Sequence, residues 1–228
     1  MTDILKDQLA YYQARAEEYD DWFFRRGRYD WGLEHKLQWA NELDHIRRFL
    51  HEHRGFKRGL ELASGTGLWT NELLRICKHV TCCDAAPEMH AINRRQQSPE
   101  QVEFRKVDLF DWEPDEQFDL VSATFWLSHV PTEKLDAFLA KVSRSLTPEG
   151  MFFFVDSQHA PTSRAKDHEL PEEHTGISQR KLDDGREFQI VKIFHSPADL
   201  TEKLARAGLN AKVSLTENYF LYGTATRC

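Results

Sequence analysis

Short apolar runs along the chain alternate with longer segments whose apolar side chains recur every three or four positions. Runs of the first kind predict buried strands, and segments of the second kind predict amphipathic helices. The predicted strands lie at residues 60–63, 79–83, 102–107, 118–123 and 151–155. The predicted helices cover residues 3–20, 34–53 and 132–146, with further helical spacing at Thr70, Leu73, Leu74 and Cys77. This alternation of strands and helices favours an α/β fold.

The pattern changes after residue 157. Residues 158–177 carry many charged side chains, and we expect them to form an excursion over the surface. Residues 177–194 predict a hairpin, because Asp184-Gly185 is a strong turn signal between two strand-like runs. The rest of the chain predicts a helix that begins at residue 196 and ends at Gly208, then two strands at residues 209–215 and 219–225.

The most informative stretch is residues 57–70, where an apolar run leads into Ser64-Gly65-Thr66-Gly67 and then into helical spacing. A strand, a glycine loop and a helix form the unit that cradles nucleotides in doubly wound sheets. Glycine lets the backbone approach a ligand closely, and a helix N-terminus offers free N–H groups. The next strand ends at Asp84, at a spacing where an acid can accept both hydroxyls of a ribose.

Polar or aromatic side chains also follow the third and fourth strands, at Asp108 and at Thr124-Phe125-Trp126. Ligands of open α/β sheets bind at this edge. Thr70 stands where a dinucleotide-binding loop has its third glycine, and no Lys-Ser or Lys-Thr pair follows the loop. The residues therefore favour a nucleoside that lacks a pyrophosphate.

Five segments in order resemble the motifs of the class I S-adenosylmethionine-dependent methyltransferases. They are residues 61–67, Asp84, Asp108-Leu109, residues 118–130 and residues 146–150. Ala63 departs from the family pattern, which usually has its first glycine there. The resemblance implies a doubly wound, seven-stranded, mostly parallel sheet in an α-β-α sandwich, with a C-terminal antiparallel strand and an N-terminal helical cap. It also implies S-adenosylmethionine as methyl donor and S-adenosylhomocysteine as product.

The resemblance carries donor-binding roles onto matching positions. Asp84 matches the acid that holds the ribose, and Asp108 with Leu109 matches the pair that contacts the adenine. The predicted donor-binding residues are Tyr11, Arg15, Glu61, Ala63, Ser64, Gly65, Gly67, Trp69, Asp84, Ala85, Asp108, Leu109 and Thr124. No cluster of side chains demands a metal, and methyl transfer from a sulfonium requires none.

The aromatic N-terminal segment predicts a lid over the donor. Aromatic faces attract a sulfonium cation, so Tyr11 or Tyr12 could cover it, and Arg15 could pair with the donor's carboxylate. The alternative is an amphipathic helix whose tyrosines only pack on the domain.

Two histidines follow core strands, His129 after the fourth and His159 after the fifth. Histidine is the usual general base near neutral pH, so both are candidates for a base or for a group that orients the acceptor. The alternative for His129 is a loop cap or packing beneath the donor. We expect Tyr29, Phe125, Trp126 and His129 to line an apolar acceptor pocket with a few polar groups.

Composition agrees with a small enzyme of one domain. The chain has 228 residues, a formal net charge of −7 and four cysteines, which we expect to be reduced. The negative balance argues against nucleic acid as a partner, and no apolar run approaches the roughly 20 residues that cross a bilayer. We therefore expect a cytoplasmic monomer or homodimer. Within the single domain 1–228 we expect a cap at 1–54, a donor-binding core at 55–157, a substrate-side insertion at 158–195 and a C-terminal helix with two strands at 196–228.

The function predicted from these features is methyl transfer from S-adenosylmethionine to a small, partly hydrophobic acceptor. The methylated atom is O, N, S or C, and the sequence does not choose among them. Two alternatives stay open: a methyltransferase that acts on RNA or protein, and a module that binds the donor without catalysis.

Overall fold

The computed structural model describes residues 3–168 and 176–228. The strands are β1 Phe56–Leu62, β2 Cys77–Asp84, β3 Val102–Lys106, β4 Phe118–Thr124, β5 Leu146–Ser157, β6 Ile177–Lys181, β7 Glu187–Val191, β8 Leu209–Leu215 and β9 Phe220–Arg227. The helices are α1 Asp3–Ala14, α2 Tyr19–Phe23, α3 Leu33–His51, α4 Thr70–Leu73, α5 Pro87–Arg94, α6 Thr132–Ser145 and α7 Pro197–Arg206. Single 3-10 turns lie at Ala16–Glu18, Gly27–Tyr29, Leu127–His129 and Pro161–Ser163.

Seven strands form one sheet in the order β3-β2-β1-β4-β5-β9-β8, and β6 pairs with β7 in a separate hairpin. The first five strands are parallel, and β9 runs antiparallel to both β5 and β8. The predicted doubly wound sheet with an antiparallel end is therefore confirmed. The strand order reverses between β1 and β4, so the carboxyl ends of these two strands flank the point where such sheets bind ligands.

The central strands are buried on both faces, as strands covered by helices on either side must be. Along β5, Phe152 and Phe154 pack toward the side of α6 and α7, whereas Phe153 and Val155 pack toward the side of α3. Leu135, Leu139 and Val142 of α6 complete one layer of the core. Trp39, Leu43 and Ile46 of α3 complete the other. Among the described residues, no helix is both long and apolar enough to cross a membrane.

The single helix predicted over residues 3–20 is wrong in one respect, because the chain breaks near Arg15. The buried Arg15 guanidinium lies among three rings, 5.4 Å from Tyr11, 5.0 Å from Tyr19 and 5.8 Å from Tyr29. The apolar spacing does not reveal the break, because it continues through it.

Two further boundaries differ from expectation. The helix after the glycine loop has a single turn, and Cys77 begins β2 rather than ending that helix. β5 begins at Leu146, five residues before the predicted strand, because Leu146 already pairs with Phe118 of β4. The register then shifts, since Leu120 pairs with Met151. The motif at residues 146–150 therefore forms the beginning of β5.

The hairpin with its turn at Asp184-Gly185 is confirmed. The surface excursion predicted for residues 158–177 is wrong for its described part, since Ala160, Ser163, Ala165 and His168 are buried. Residues 169–175 of that prediction lie outside the described residues. The buried part packs against the N-terminal segment, which the sequence pattern does not indicate.

We expect Gly223→Ala to lower the free energy of unfolding by about 2 kcal/mol, the range for overpacking a core. A Cβ at Gly223 of β9 would collide with the backbone carbonyl of Lys212 and lie 2.8 Å from the Phe154 ring. Gly59→Ala, in β1, is the control, because the tightest contact of its Cβ would be the movable Cys77 Sγ at 3.0 Å, with Val80 at an ordinary van der Waals distance of 3.6 Å. Urea unfolding of both variants measures the difference, and equal losses would contradict the packing described here.

Candidate functional site

A cavity of about 730 Å³ opens at the carboxyl ends of β1, β2, β3 and β4, beneath α1. We call it the first cavity. Ten of the residues predicted from the sequence line it, namely Ala63, Gly65, Asp84, Ala85, Asp108, Leu109, Thr124, Phe125, Trp126 and His129. They come from the ends of four strands, so the parallel sheet is what brings them together.

Asp84 is the acid at the tip of β2. Its two oxygens accept backbone N–H groups, one from Gly65 at 2.9 Å and one from Ala86 at 2.8 Å. Burial raises the pKa of the Asp84 carboxyl to about 6, although these hydrogen bonds oppose the shift. Each carboxylate oxygen keeps a free lone pair, so the acid can still accept hydroxyl groups from a ligand in the first cavity.

The glycine loop serves two different purposes. A Cβ at Gly65, whose φ is +54°, would project into open space, so this glycine leaves room beside the first cavity. A Cβ at Gly67 would collide with the Asn93 side chain, so Gly67 is required for packing and does not line the first cavity. Ala63 has a φ of +56°, a left-handed conformation that glycine would adopt with less strain.

A small third cavity of about 250 Å³ lies beside the glycine loop, lined by Ser64 and Trp69 among others. Ser64 Oγ and Trp69 Nε1 are buried and find no hydrogen-bond partner among the described residues. Buried polar atoms usually have a partner, so these two fit a polar end of a bound ligand. The first and third cavities share Tyr19, Ala63, Gly65, Thr124 and Phe125.

Glu61 lines none of these cavities. It is fully buried in β1, where its carboxylate accepts the Thr70 hydroxyl at 2.6 Å, and burial raises its pKa to about 7. Thr70 in turn accepts Asn93 Nδ2 at 3.0 Å. Glu61 therefore supports the glycine loop indirectly, through Thr70 of α4 and Asn93 of α5, and does not reach into the first cavity.

A second cavity of about 630 Å³ lies between α1, the hairpin and the segment after β5. Four cationic side chains line it: Arg15, Arg164, Arg180 and Lys192. None of the described Asp and Glu residues lines the second cavity. The three arginines form no salt bridge with any carboxylate of the described residues. Tyr11 and Tyr29 also line it, and Arg15 Nη2 donates to the Tyr29 hydroxyl at 3.3 Å.

Among the described residues, Lys192 is the one cation of the second cavity that lies beside a carboxylate. Its Nζ lies 3.5 Å from Asp156 Oδ1 and donates to Ser128 Oγ at 2.8 Å. Burial opposes ionisation of Asp156, but Lys192 and hydrogen bonds from Ser128 keep the pKa of Asp156 below its ordinary value. Asp156 is the penultimate residue of β5, so Lys192 is fixed to the sheet while its charge faces the second cavity.

Side chains from the loop before α3 fix the segment that carries Arg164. The buried Arg25 donates to the Ser163 carbonyl at 3.2 and 2.8 Å, and Trp22 Nε1 donates to the same oxygen at 2.9 Å. Trp31 Nε1 donates to the Arg164 carbonyl at 3.0 Å. Arg25 has no carboxylate partner among the described residues, and its guanidinium lies 3.5 Å from the centre of the Trp39 ring. These contacts explain why Ala160, Ser163 and Ala165 are buried.

The predicted lid residues divide between the two cavities. Tyr12 lines both cavities, whereas Tyr11 and Arg15 line only the second; Leu5, Gln8 and Leu9 of α1, which were not predicted, line the first. Residues 8 and 12 share one face of a helix, and residues 11 and 15 share the next. The predicted contact of Tyr11 and Arg15 with the donor is therefore not what the geometry favours, because their face of α1 points to the other cavity. Tyr29 lines the second cavity, whereas Trp126, predicted to contact the acceptor together with Tyr29, lines only the first.

Four side chains line both cavities and form the partition between them: Tyr12, Tyr19, Phe125 and His129. Phe125 has a φ of +54°, a strained conformation of the kind that clusters at functional sites. His159 lies outside both cavities. It is exposed, and its ring packs edge-on against Phe194 at 4.9 Å, so the structure gives no support to a catalytic role.

Sequence reasoning missed three residues of the second cavity, namely Arg164, Arg180 and Lys192. The sequence gives little indication of their role, because each lies in a region with many other charged side chains. One hint was Lys192, which directly follows the buried pair Ile190-Val191 in the hairpin. Nothing local indicates that the hairpin folds back over the sheet.

A doubly wound sheet with an acid at the tip of β2 and a cavity at the switch point defines a nucleoside-binding α/β protein. A family model described as a methyltransferase domain matches residues 60–150. The solved DhpI–SAM–HEP complex is 38% identical with a TM-score of 0.78, covering 99% of this chain and 98% of that one. The solved DhpI–SAH complex is 37% identical with a TM-score of 0.75, covering 98% and 97%.

A malonyl-[acyl-carrier protein] O-methyltransferase of Bacillus cereus is 30% identical over 148 residues, 60% of this chain. The chain spans about half the length of the curated relatives it matches. Together these similarities show that the chain belongs to the class I S-adenosylmethionine-dependent methyltransferases. The predicted family and methyl donor are therefore confirmed.

We expect Asp84→Asn to weaken the binding of S-adenosylhomocysteine about tenfold or more at pH 7.5, because a hydrogen bond to a charged group is worth roughly 1.5–3 kcal/mol. In the unaltered chain the affinity falls as the pH falls through about 6, where Asp84 gains a proton. Asp84→Asn lacks this loss of affinity near pH 6, and we attribute any pH dependence of its affinity to Glu61. Calorimetry across pH 5–8 measures both effects.

Asp111→Asn is the matched control, since Asp111 is exposed and lies outside the first cavity. Equal affinity of Asp84→Asn and the unaltered chain, in variants with the same melting temperature, would contradict a ligand-binding role for Asp84.

Proposed function

We propose that this methyltransferase methylates an oxygen of a small oxyacid anion held in the second cavity, with the donor in the first. The observation that carries the proposal is the charge of the second cavity. Arg15, Arg164 and Arg180 line it without a carboxylate partner among the described residues, and Lys192 adds a fourth cation. Arg15 and Lys192 are buried, and Arg164 and Arg180 are partly buried. Cations removed from water are costly unless something pairs with them, and an anionic acceptor supplies that partner.

Arginine suits this task because its planar guanidinium matches a carboxylate or a tetrahedral oxyanion through two parallel hydrogen bonds. Tyr11, Tyr29 and Trp22 add aromatic surface to the same cavity, which favours an acceptor with a small apolar part. The name of the curated relative, an O-methyltransferase, supports oxygen as the methylated atom.

S-adenosylmethionine supplies the methyl group: the acceptor oxygen bonds to the methyl carbon while the carbon–sulfur bond breaks and leaves its electron pair on a neutral thioether. An oxyanion is already deprotonated, so the chain need not remove a proton. Its contribution is to hold the two reactants on either side of the partition and to exclude water. The methyl ester has one negative charge fewer than the acid, so the cations hold the product less tightly and favour its release.

An acceptor screen with labelled donor tests the proposal. Small carboxylic, sulfonic and phosphonic acids are compared with alcohols, amines and thiols of matched size that carry no acid group. We expect methyl esters from one or more acids and no product from the compounds without an acid group. Methylation of an amine, a thiol or a neutral alcohol at a higher kcat/KM than any acid would overturn the proposal.

Arg180→Met should raise the KM for the acid at least tenfold, because it removes a charge-assisted hydrogen bond to the acceptor. The affinity for S-adenosylhomocysteine should stay within about twofold, since Arg180 does not line the first cavity. Arg186→Met is the matched control on the same hairpin, because Arg186 is exposed and pairs with Asp184. Steady-state kinetics and calorimetry give the two readouts, and an unchanged KM in Arg180→Met would contradict the assignment.

A further inference from the structure

The hydrogen bonds of the partition determine the state of His129. Its Nδ1 lies 2.7 Å from the Val191 carbonyl oxygen, and a carbonyl only accepts, so Nδ1 carries the ring hydrogen. Its Nε2 lies 2.9 Å from the Tyr12 hydroxyl. In a neutral ring with a protonated Nδ1, Nε2 is an acceptor, so the Tyr12 hydroxyl donates to it.

The surroundings keep this ring neutral. Burial and the charge of Lys192 lower the pKa of His129 to about 3, and Arg180 acts in the same direction. Asp156 opposes them, but it is already bound to Lys192 and Ser128. Burial also raises the pKa of Tyr12 well above its ordinary value, so its hydroxyl keeps its hydrogen. The Tyr12–His129 pair is thus neutral, and its hydrogen bond runs from the Tyr12 hydroxyl to His129 Nε2.

Two consequences follow for the chemistry at the partition. The lone pair of His129 Nε2 already accepts the Tyr12 hydroxyl, so it is not free to take a proton from an acceptor molecule. The Tyr12 oxygen has given its only hydrogen to His129, and it has no other partner among the described residues. That oxygen can therefore act only as an acceptor toward whatever lies between the two cavities.

We propose that the Tyr12 hydroxyl oxygen faces the transferring methyl group, and that His129 is a positioning residue that holds this oxygen in place rather than a general base. This inference rests on the proposed donor and acceptor cavities. A methyl group on a positively charged sulfur has polarised C–H bonds, which an oxygen lone pair attracts weakly but directionally. A hydroxyl free to rotate could turn its hydrogen toward the sulfonium and repel it, and His129 prevents that rotation.

The inference predicts different effects for substitutions that the base hypothesis treats alike. Tyr12→Phe and His129→Leu should each lower kcat about tenfold, and the double variant should be no worse than either, because both remove the same oriented oxygen. His129→Gln retains an acceptor at the position of Nε2 and should keep kcat within about threefold. With both substrates saturating, kcat should not change between pH 6.5 and 8.5.

A binding measurement tests the same inference without turnover. The ratio of affinities for S-adenosylmethionine and S-adenosylhomocysteine reports on the methyl group and on the positive charge that it gives the sulfur. Tyr12→Phe and His129→Leu should lower the preference for the methylated compound about two- to fivefold, and His129→Gln should not. This ratio does not depend on which acceptor the protein uses, so it separates a failure here from a failure of the proposed acceptor class.

Tyr222→Phe is the matched control, because the Tyr222 hydroxyl also bonds a histidine, His45 Nε2 at 2.8 Å, and lines neither cavity. It should leave kcat and the binding ratio unchanged. Three outcomes would overturn the inference: an unaltered binding ratio in Tyr12→Phe, equal inactivity of His129→Gln and His129→Leu, or a kcat that rises with pH near the ordinary pKa of histidine.

Discussion

One buried amide side chain joins α1, the 3-10 turn at Leu127–His129 and the hairpin, and these three parts enclose both cavities. Gln8 of α1 is 3% exposed. Its Nε2 donates to the His129 carbonyl at 3.1 Å, and its Oε1 accepts the Val191 N–H at 2.9 Å. Each bond contributes only about 1 kcal/mol, but a buried amide without partners costs more, so the helix has one favourable position. Because α1 provides a wall to each cavity, that position sets the shape of both.

The two cavities differ in charge, and the difference matches two reactants of opposite charge. The first contains Asp84 and Asp108 at the strand tips, whereas the second contains cations without an acid of the described residues among its lining. In the proposed function, a sulfonium and an oxyanion are thereby attracted to adjacent cavities separated by neutral side chains. The chain carries a net charge of −7, so this selectivity depends on local placement and not on the overall balance.

The donor side of the site could be predicted from the sequence because its determinants are local. Each strand of a parallel sheet ends at the same edge, so Asp84, Asp108 and Thr124 are placed by strand boundaries alone. The acceptor side depends on contacts across long stretches of chain, such as Arg25 with Ser163 and Gln8 with Val191. Hydrophobic spacing also cannot tell which face of α1 meets which cavity, and so Tyr11 and Arg15 were expected beside the donor. The residues of the hairpin gave no local sign that they would cover the sheet.

The charge of the second cavity and the neutrality of His129 have a common physical cause. Lys192 and Arg180 both help to keep a proton off His129, and both line the chamber assigned to the acceptor. A cavity that binds an acid through cations therefore also lowers the pKa of a histidine at its edge, so that this histidine is a poor base. An acid ionised at neutral pH does not need that base, whereas an alcohol or a phenol would. The electrostatics that hold the acceptor thus also limit the chemistry to acceptors that arrive already deprotonated.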